Sequence, residues 1–169
     1  MLLPIVKYGH PALRQPAAPV SELTAEIDQL IENMFETMYA APGVGLAAPQ
    51  VGVSLRVFVI DVSLGRDPKG TIELINPEFV TREGVQLEEE GCLSLPGFSA
   101  TVARPERVHV RGLDRTGKPR EYEGKELLAR AFQHEMDHLE GRVFVDRLRG
   151  IKRQMILRKI RKLDRGGKW

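Results

Sequence analysis

The sequence predicts an α+β domain: short antiparallel strands packed around a central buried helix that carries an HExxH motif, with a further helix closing the chain. Three observations predict it. Several short β-branched and aromatic runs are grouped between helical stretches. The stretch 125–139 is apolar on most sides, as a helix inside a core must be. Finally, 169 residues with no internal repeat, low-complexity tract or linker make one domain over 1–169, large enough to bury roughly 70% of the surface its unfolded form exposes.

In chain order, Leu23, Ile27, Leu30, Ile31, Met34, Phe35 and Met38 recur at helical spacing. Glu26 and Asp28 come early, where the helix dipole favours acids. Pro42, Gly43 and Gly45 in "APGVGLAAPQ" break that period. Residues 56–61, 71–75 ("TIELI") and 107–113 ("RVHVRGL") read as strands, and 114–119 as a turn between two short strands. The helix over 125–139 stops at Gly141. A last helix runs over about 151–163, within a basic span of 151–165.

Hydrophobic residues at 42% and charged residues at 28% describe an ordinary soluble globular protein. The longest apolar stretch, 55–62, is broken by Arg56 and Asp61, so no membrane span is expected. The opening "MLLPIV" is too short for a signal-peptide core and lacks a basic lead, which favours the cytoplasm. Cys92 is the only cysteine, so no internal disulfide forms, and a lone thiol suits a reducing compartment. The net charge of +2 is unevenly spread. From Arg147 to Trp169 ten Lys or Arg face one acid, Asp164, for a net +9; the other 146 residues carry fifteen bases and twenty-two acids, for a net −7. A basic tail on an acidic body points to a polyanionic neighbour.

"QHEMDHLEG" (133–141) places His134 and His138 four apart, with Glu135 beside the first. On a helix the two imidazoles project from one face, one turn apart, and can reach one cation. Glu135 leans toward the side where an activated water would sit. HExxH is short enough to arise by chance on a solvated helix; the apolar flanks argue instead that these polar groups are buried and need partners. The motif supplies two ligands and a base, where a catalytic metal site usually has three protein ligands. Extension in the metzincin manner ends on Phe144, which cannot bind metal. Glu140 is too close to fold back, and Asp146 and Asp164 stay open in poor contexts. His10 and His109 are isolated and read as surface or packing histidines.

That leaves Cys92, in "LEEEGCLSLPG" (87–97). A lone cysteine is most often a small buried hydrophobe. Here Gly91 permits a sharp turn, while Ser94 and Pro96 constrain the chain after it, so the thiol and the Leu93 N–H are presented from a fixed loop. A thiolate with two imidazoles is a competent three-ligand set with a fourth position for water.

"GVGLAAPQ" (43–50), "EGCLS" (90–94) and "QHEMDHLEG" together resemble the bacterial peptide deformylases, in that family's order, and the similarity runs from "HPALR" (10–14) to the last helix. The resemblance implies one metal ion on Cys92, His134 and His138: ferrous iron (Fe2+), with zinc, nickel or cobalt in purified samples. It implies a substrate, the N-formyl-methionine start of a nascent polypeptide, and as products formate and a free amino terminus. Glu135 would take a proton from water and return it to the leaving nitrogen. The Gln50 amide and the Leu93 N–H would stabilise the charge that develops on the formyl oxygen. Gly43 and Gly45 would let the backbone come close to the substrate chain. Val44, Leu127 and Ala131 would line the methionine pocket. Arg130 stands where relatives often carry an apolar residue and is expected at the pocket rim. Glu90 and Arg104 resemble a pair that ties the cysteine loop to a neighbouring strand.

The polyanion implied by the resemblance is the ribosome near its exit tunnel, met by Arg158, Arg161, Lys162 and Arg165, across the last helix from Ile156, Ile160 and Leu163. A monomer is expected. Two other function classes stay open from residues alone. One is an ordinary HExxH metallopeptidase, which needs a third ligand after the helix. The other is a non-catalytic RNA-binding protein, which would have stacking aromatics beyond Trp169.

Overall fold

The first helical period becomes α1 (Ala25–Ala40), opened by Thr24, whose hydroxyl accepts from the Ile27 N–H. In the computed structural model, which describes residues 1–169, seven strands follow: β1 (Gly45–Ala47), β2 (Val57–Ile60), β3 (Ile72–Glu83), β4 (Gln86–Gly91), β5 (Ser99–Arg104), β6 (Arg107–Leu113) and β7 (Pro119–Lys125). Five of them form one antiparallel sheet in the order β1-β2-β3-β6-β7, and β4 pairs with β5 in a separate antiparallel ribbon. Then come α2 (Glu126–Leu139) and α3 (Ile151–Arg165). No helix is long and apolar enough to cross a membrane.

The sheet lies between two helices, which explains why every residue of β2 is buried. Val57 and Val59, with Ile75 of β3, pack on Ile27, Ile31, Met34 and Met38 of α1. The alternate residues Phe58 and Ile60, with Leu74, pack on Phe132, Met136 and Leu139 of α2. Every residue of α2 from Ala129 to Leu139 is buried, so its polar side chains must find partners inside the protein. A third apolar cluster joins Ile156 and Ile160 of α3 to Ala100 and Val102 of β5 and to Leu95 and Phe144.

Strand β3 continues well beyond the "TIELI" run. Asn76, at a left-handed φ of 52°, and a register shift between Ile75 and Glu78 carry the chain past Pro77, which cannot donate to the ladder. The Asn76 side chain is clamped to Val20 by two hydrogen bonds of 2.8 and 3.0 Å. Strands β1, β4 and β5 were not expected. Only three residues make β1, next to the chain breakers, and β4 is written in glutamates. The last helix extends to Arg165, two residues past its expected end.

Candidate metal centre

His134 and His138 lie one turn apart on α2, with ring centroids 5.0 Å apart. Cys92 directly follows β4, and its Sγ is 3.4 Å from His138 Nε2. The ligand atoms of all three residues lie within 4.8 Å of one another. Glu90, two residues before the cysteine, fixes this approach. Its Oε1 accepts from Arg104 Nε and Arg130 Nη1, both at 2.8 Å; its Oε2 accepts from Arg104 Nη2 at 2.6 Å and from His134 Nδ1 at 2.8 Å. An ionised carboxylate only accepts, so His134 carries a proton on Nδ1, and Nε2 becomes a ligand once it gives up its own proton. One carboxylate therefore ties the thiol loop, a neighbouring strand and the metal-motif helix together.

The chain of charges continues. Arg104 Nη1 donates to Asp137 Oδ2 at 3.0 Å, and Arg147 donates to both oxygens of Asp137 at 2.8 and 2.6 Å. Burial alone would raise the Glu90 carboxyl, but Arg104 and His134 outweigh it and hold it well below the usual carboxylate range. Burial pulls His134 down, yet the charges of Glu135 and Cys92 outweigh it and hold the imidazole well above its ordinary value. Burial, and then the charge of His134, push His138 well below its own. Burial also lifts Glu135 to about 7, poised for proton transfer near neutrality. Glu135 Oε1 and His138 Nδ1 are the two buried side-chain atoms without a protein partner.

A cleft of about 800 Å³ opens onto this cluster. Gly43, Val44, Gly45 and Gln50 form one wall, and Cys92 and Leu93 form another. Leu127, Arg130, Ala131, His134 and Glu135 face it from α2, while His138 lies behind, fully buried. Close approach requires glycine at 45 and leaves little room at 43. A Cβ on Gly45 would lie 2.5 Å from Glu135 Oε2, and one on Gly43 would lie 2.9 Å from the Leu93 side chain. Gln50 is 1% exposed. Its Oε1 accepts the Ala47 N–H at 3.0 Å, which turns Nε2 toward Ser94 Oγ (3.2 Å) and Cys92 Sγ (3.7 Å). The Leu93 N–H makes no hydrogen bond within the chain's backbone.

Arg130 lines the cleft with its guanidinium tied to the ribbon. It is 4% exposed and fully engaged, with Gln86 Oε1 and the Val102 carbonyl accepting beside Glu90. A guanidinium inside a core needs this many acceptors, and only the ribbon offers them. Leu127, by contrast, is 52% exposed at the cleft mouth. His10 caps the turn at Ala12 and His109 faces Glu121, both away from the cluster. Residues alone missed the roles of Ser94, Asp137 and Gln86 as partners. Each is an ordinary polar residue whose meaning depends on what the fold brings to it.

A donor set of one sulfur and two imidazole nitrogens, with one imidazole held neutral by burial, fits a borderline-soft divalent metal. The polypeptide deformylase family model matches residues 2–154. A peptide deformylase of Acidobacterium capsulatum is 53% identical over 169 residues, covering 100% of this chain and 99% of the relative. The crystal structure of a peptide deformylase from Legionella pneumophila superposes with a TM-score of 0.91 at 48% identity, covering 98% of this chain and 96% of that one. A peptide deformylase from Synechococcus elongatus, crystallised in complex with actinonin, gives a TM-score of 0.89 at 43% identity over 94% of this chain and 87% of that one. With its motifs converging on one cleft and its relatives matching nearly end to end, the chain belongs to the polypeptide deformylase family.

Proposed function

We propose that Cys92, His134 and His138 hold one divalent metal ion and that Glu135 moves the proton in the family's reaction, removal of the formyl group from the formyl-methionine start of new polypeptides. A metal held there would lower the pKa of water and polarise a carbonyl. Glu135 accepts a proton from the attacking water, whose oxygen adds to the formyl carbon. Negative charge on the former carbonyl oxygen is met by Gln50 Nε2–H and the Leu93 N–H. Glu135 then hands its proton to the nitrogen as the C–N bond breaks, giving formate and a free amino terminus. Val44, Leu127 and Ala131 take the methionine side chain. The observation that carries this assignment is Glu135: a buried carboxyl lifted to about 7, with one oxygen unpartnered, beside a Cys/His/His cluster.

An ordinary metallopeptidase would need a third ligand after α2, and the next position in that pattern, Phe144, is a fully buried core residue. The native ion we propose is ferrous, although thiolate and imidazole accept zinc, nickel or cobalt as well. The enzyme works as a monomer in the cytoplasm, on nascent chains at the ribosome. The support for docking through α3 is electrostatic. Arg158, Arg161, Lys162 and Arg165 are exposed, none of them forms an ion pair, and Ile156 and Ile160 on the other face are buried. The cleft should also take actinonin, with which the Synechococcus elongatus relative was crystallised in complex. The test is metal analysis of anaerobically purified protein with formate release from formyl-Met-Ala measured on the same sample. Iron with activity that decays in air is expected; zinc alone with equal activity in both preparations contradicts the ferrous assignment.

A further inference from the structure

The loop after β2 carries a backbone that folding alone does not ask for. Leu64 sits at φ 56°, a left-handed conformation unfavourable for leucine, and its side chain is 47% exposed where it lines the cleft. Glycine or asparagine would relieve that backbone, and a polar side chain would suit the solvent. Asp61, fully buried, enforces the conformation. Its Oδ1 accepts from the Ser63 N–H at 2.9 Å and from Ser63 Oγ at 2.6 Å; its Oδ2 accepts from the Gly65 N–H at 3.1 Å and from the Tyr39 hydroxyl at 2.5 Å. The Asp61 carbonyl accepts the Leu64 N–H itself at 3.2 Å. Both neighbours of Leu64 are thus held by one carboxylate, which leaves its side chain over the cleft.

The position along the cleft follows from the strand register. Gly45 pairs with Ile60 and abuts Glu135, and the Asp61 N–H donates to the Val44 carbonyl at 2.8 Å. The line from Gly45 back through Val44 and Pro42 therefore leads away from Glu135 toward the loop that bears Leu64. A substrate bound in extended form advances roughly 3.4 Å per residue, so its third residue lies about 10 Å from the formyl end at Glu135.

We propose that Leu64 is a specificity-determining residue that grips an apolar side chain at about the third residue of the formylated peptide. This rests on the deformylase function proposed above. Wild-type protein should show a KM about tenfold lower for formyl-Met-Ala-Leu than for formyl-Met-Ala-Ser. Leu64→Asn should bring that ratio close to one while leaving kcat on formyl-Met-Ala unchanged and its Tm equal or higher, because asparagine adopts the left-handed region more readily. Leu64→Met should keep the preference. A wild-type ratio near one, or a ratio preserved in Leu64→Asn, overturns the role of Leu64. So does a parallel rise in KM for all three peptides, which would mark loosening of the loop. Wild-type protein that releases no formate from formyl-Met-Ala contradicts the deformylase function instead.

Discussion

Gln50 owes its orientation to its own backbone neighbourhood: the Ala47 N–H occupies its carbonyl oxygen and leaves the amide N–H groups facing the cysteine. Gln50→Ala should therefore lower kcat by roughly 10²-fold with metal content retained; an unchanged kcat would assign the oxyanion contact elsewhere. Glu135 gives a second consequence, in metal-free protein. Its folded-state value of about 7 lies above the ordinary 4.5, so between those pH values the native state binds more protons than the unfolded chain. Stability then falls as pH rises across that window, by about 3 kcal/mol in full. Glu135→Gln removes the titration, so denaturant unfolding should show the variant gaining on wild type from pH 4.5 to 7 and holding a constant difference beyond. A difference that does not vary with pH would mean that Glu135 is not held protonated by burial. The HExxH spacing made Glu135 legible, and the family resemblance pointed to Gln50 and to the Glu90–Arg104 pair; the further bonds of Glu90 to Arg130 and His134 were not legible, since those residues lie forty or more positions away.

At the scale of elements, α1 and α3 were readable because their burial follows the helical period, and α2 because it is apolar on most sides. Strand β4 was not, because Glu88, Glu89 and Glu90 carry no alternation of apolar residues, and only the fold reveals that Glu90 is turned inward while its neighbours stay exposed. Arg130 lies on the cleft face of α2, but sequence position did not show that the ribbon supplies the acceptors for its buried guanidinium. In α3 the apolar side is buried and the basic side is free of ion pairs, so charge can be reversed there without opening the core. Reversing Arg158, Lys162 and Arg165 to glutamate should leave formate release from short peptides unchanged and weaken co-sedimentation with ribosomes, most visibly at low salt. Undiminished co-sedimentation across a salt series would dismiss docking through α3.

For the molecule as a whole, the sheet between α1 and α2 sets the position of the Gly45–Gln50 wall, and the β4–β5 ribbon sets that of the cysteine. Their meeting on α2 makes the cleft. The α+β class, the Cys/His/His cluster and most of the cleft wall were legible, because helical spacing and three motifs are local signals. The ribbon and the Asp61 cage were not, because β4 carries no apolar alternation and the cage rests on side-chain bonds that spacing does not reveal, and the buried charge chain was not, because it joins residues far apart in sequence. This meeting point is the proposed metal centre, with Glu135 as its proton carrier. The most direct measurement is metal content and formate release from formyl-Met-Ala on wild type, Cys92→Ala and Glu135→Gln prepared side by side. Wild type should carry one metal per chain and be active, Cys92→Ala should lose the metal and the activity, and Glu135→Gln should keep the metal while losing at least about 10²-fold in kcat. Full metal occupancy with normal turnover in Cys92→Ala, or normal turnover in Glu135→Gln, would contradict it.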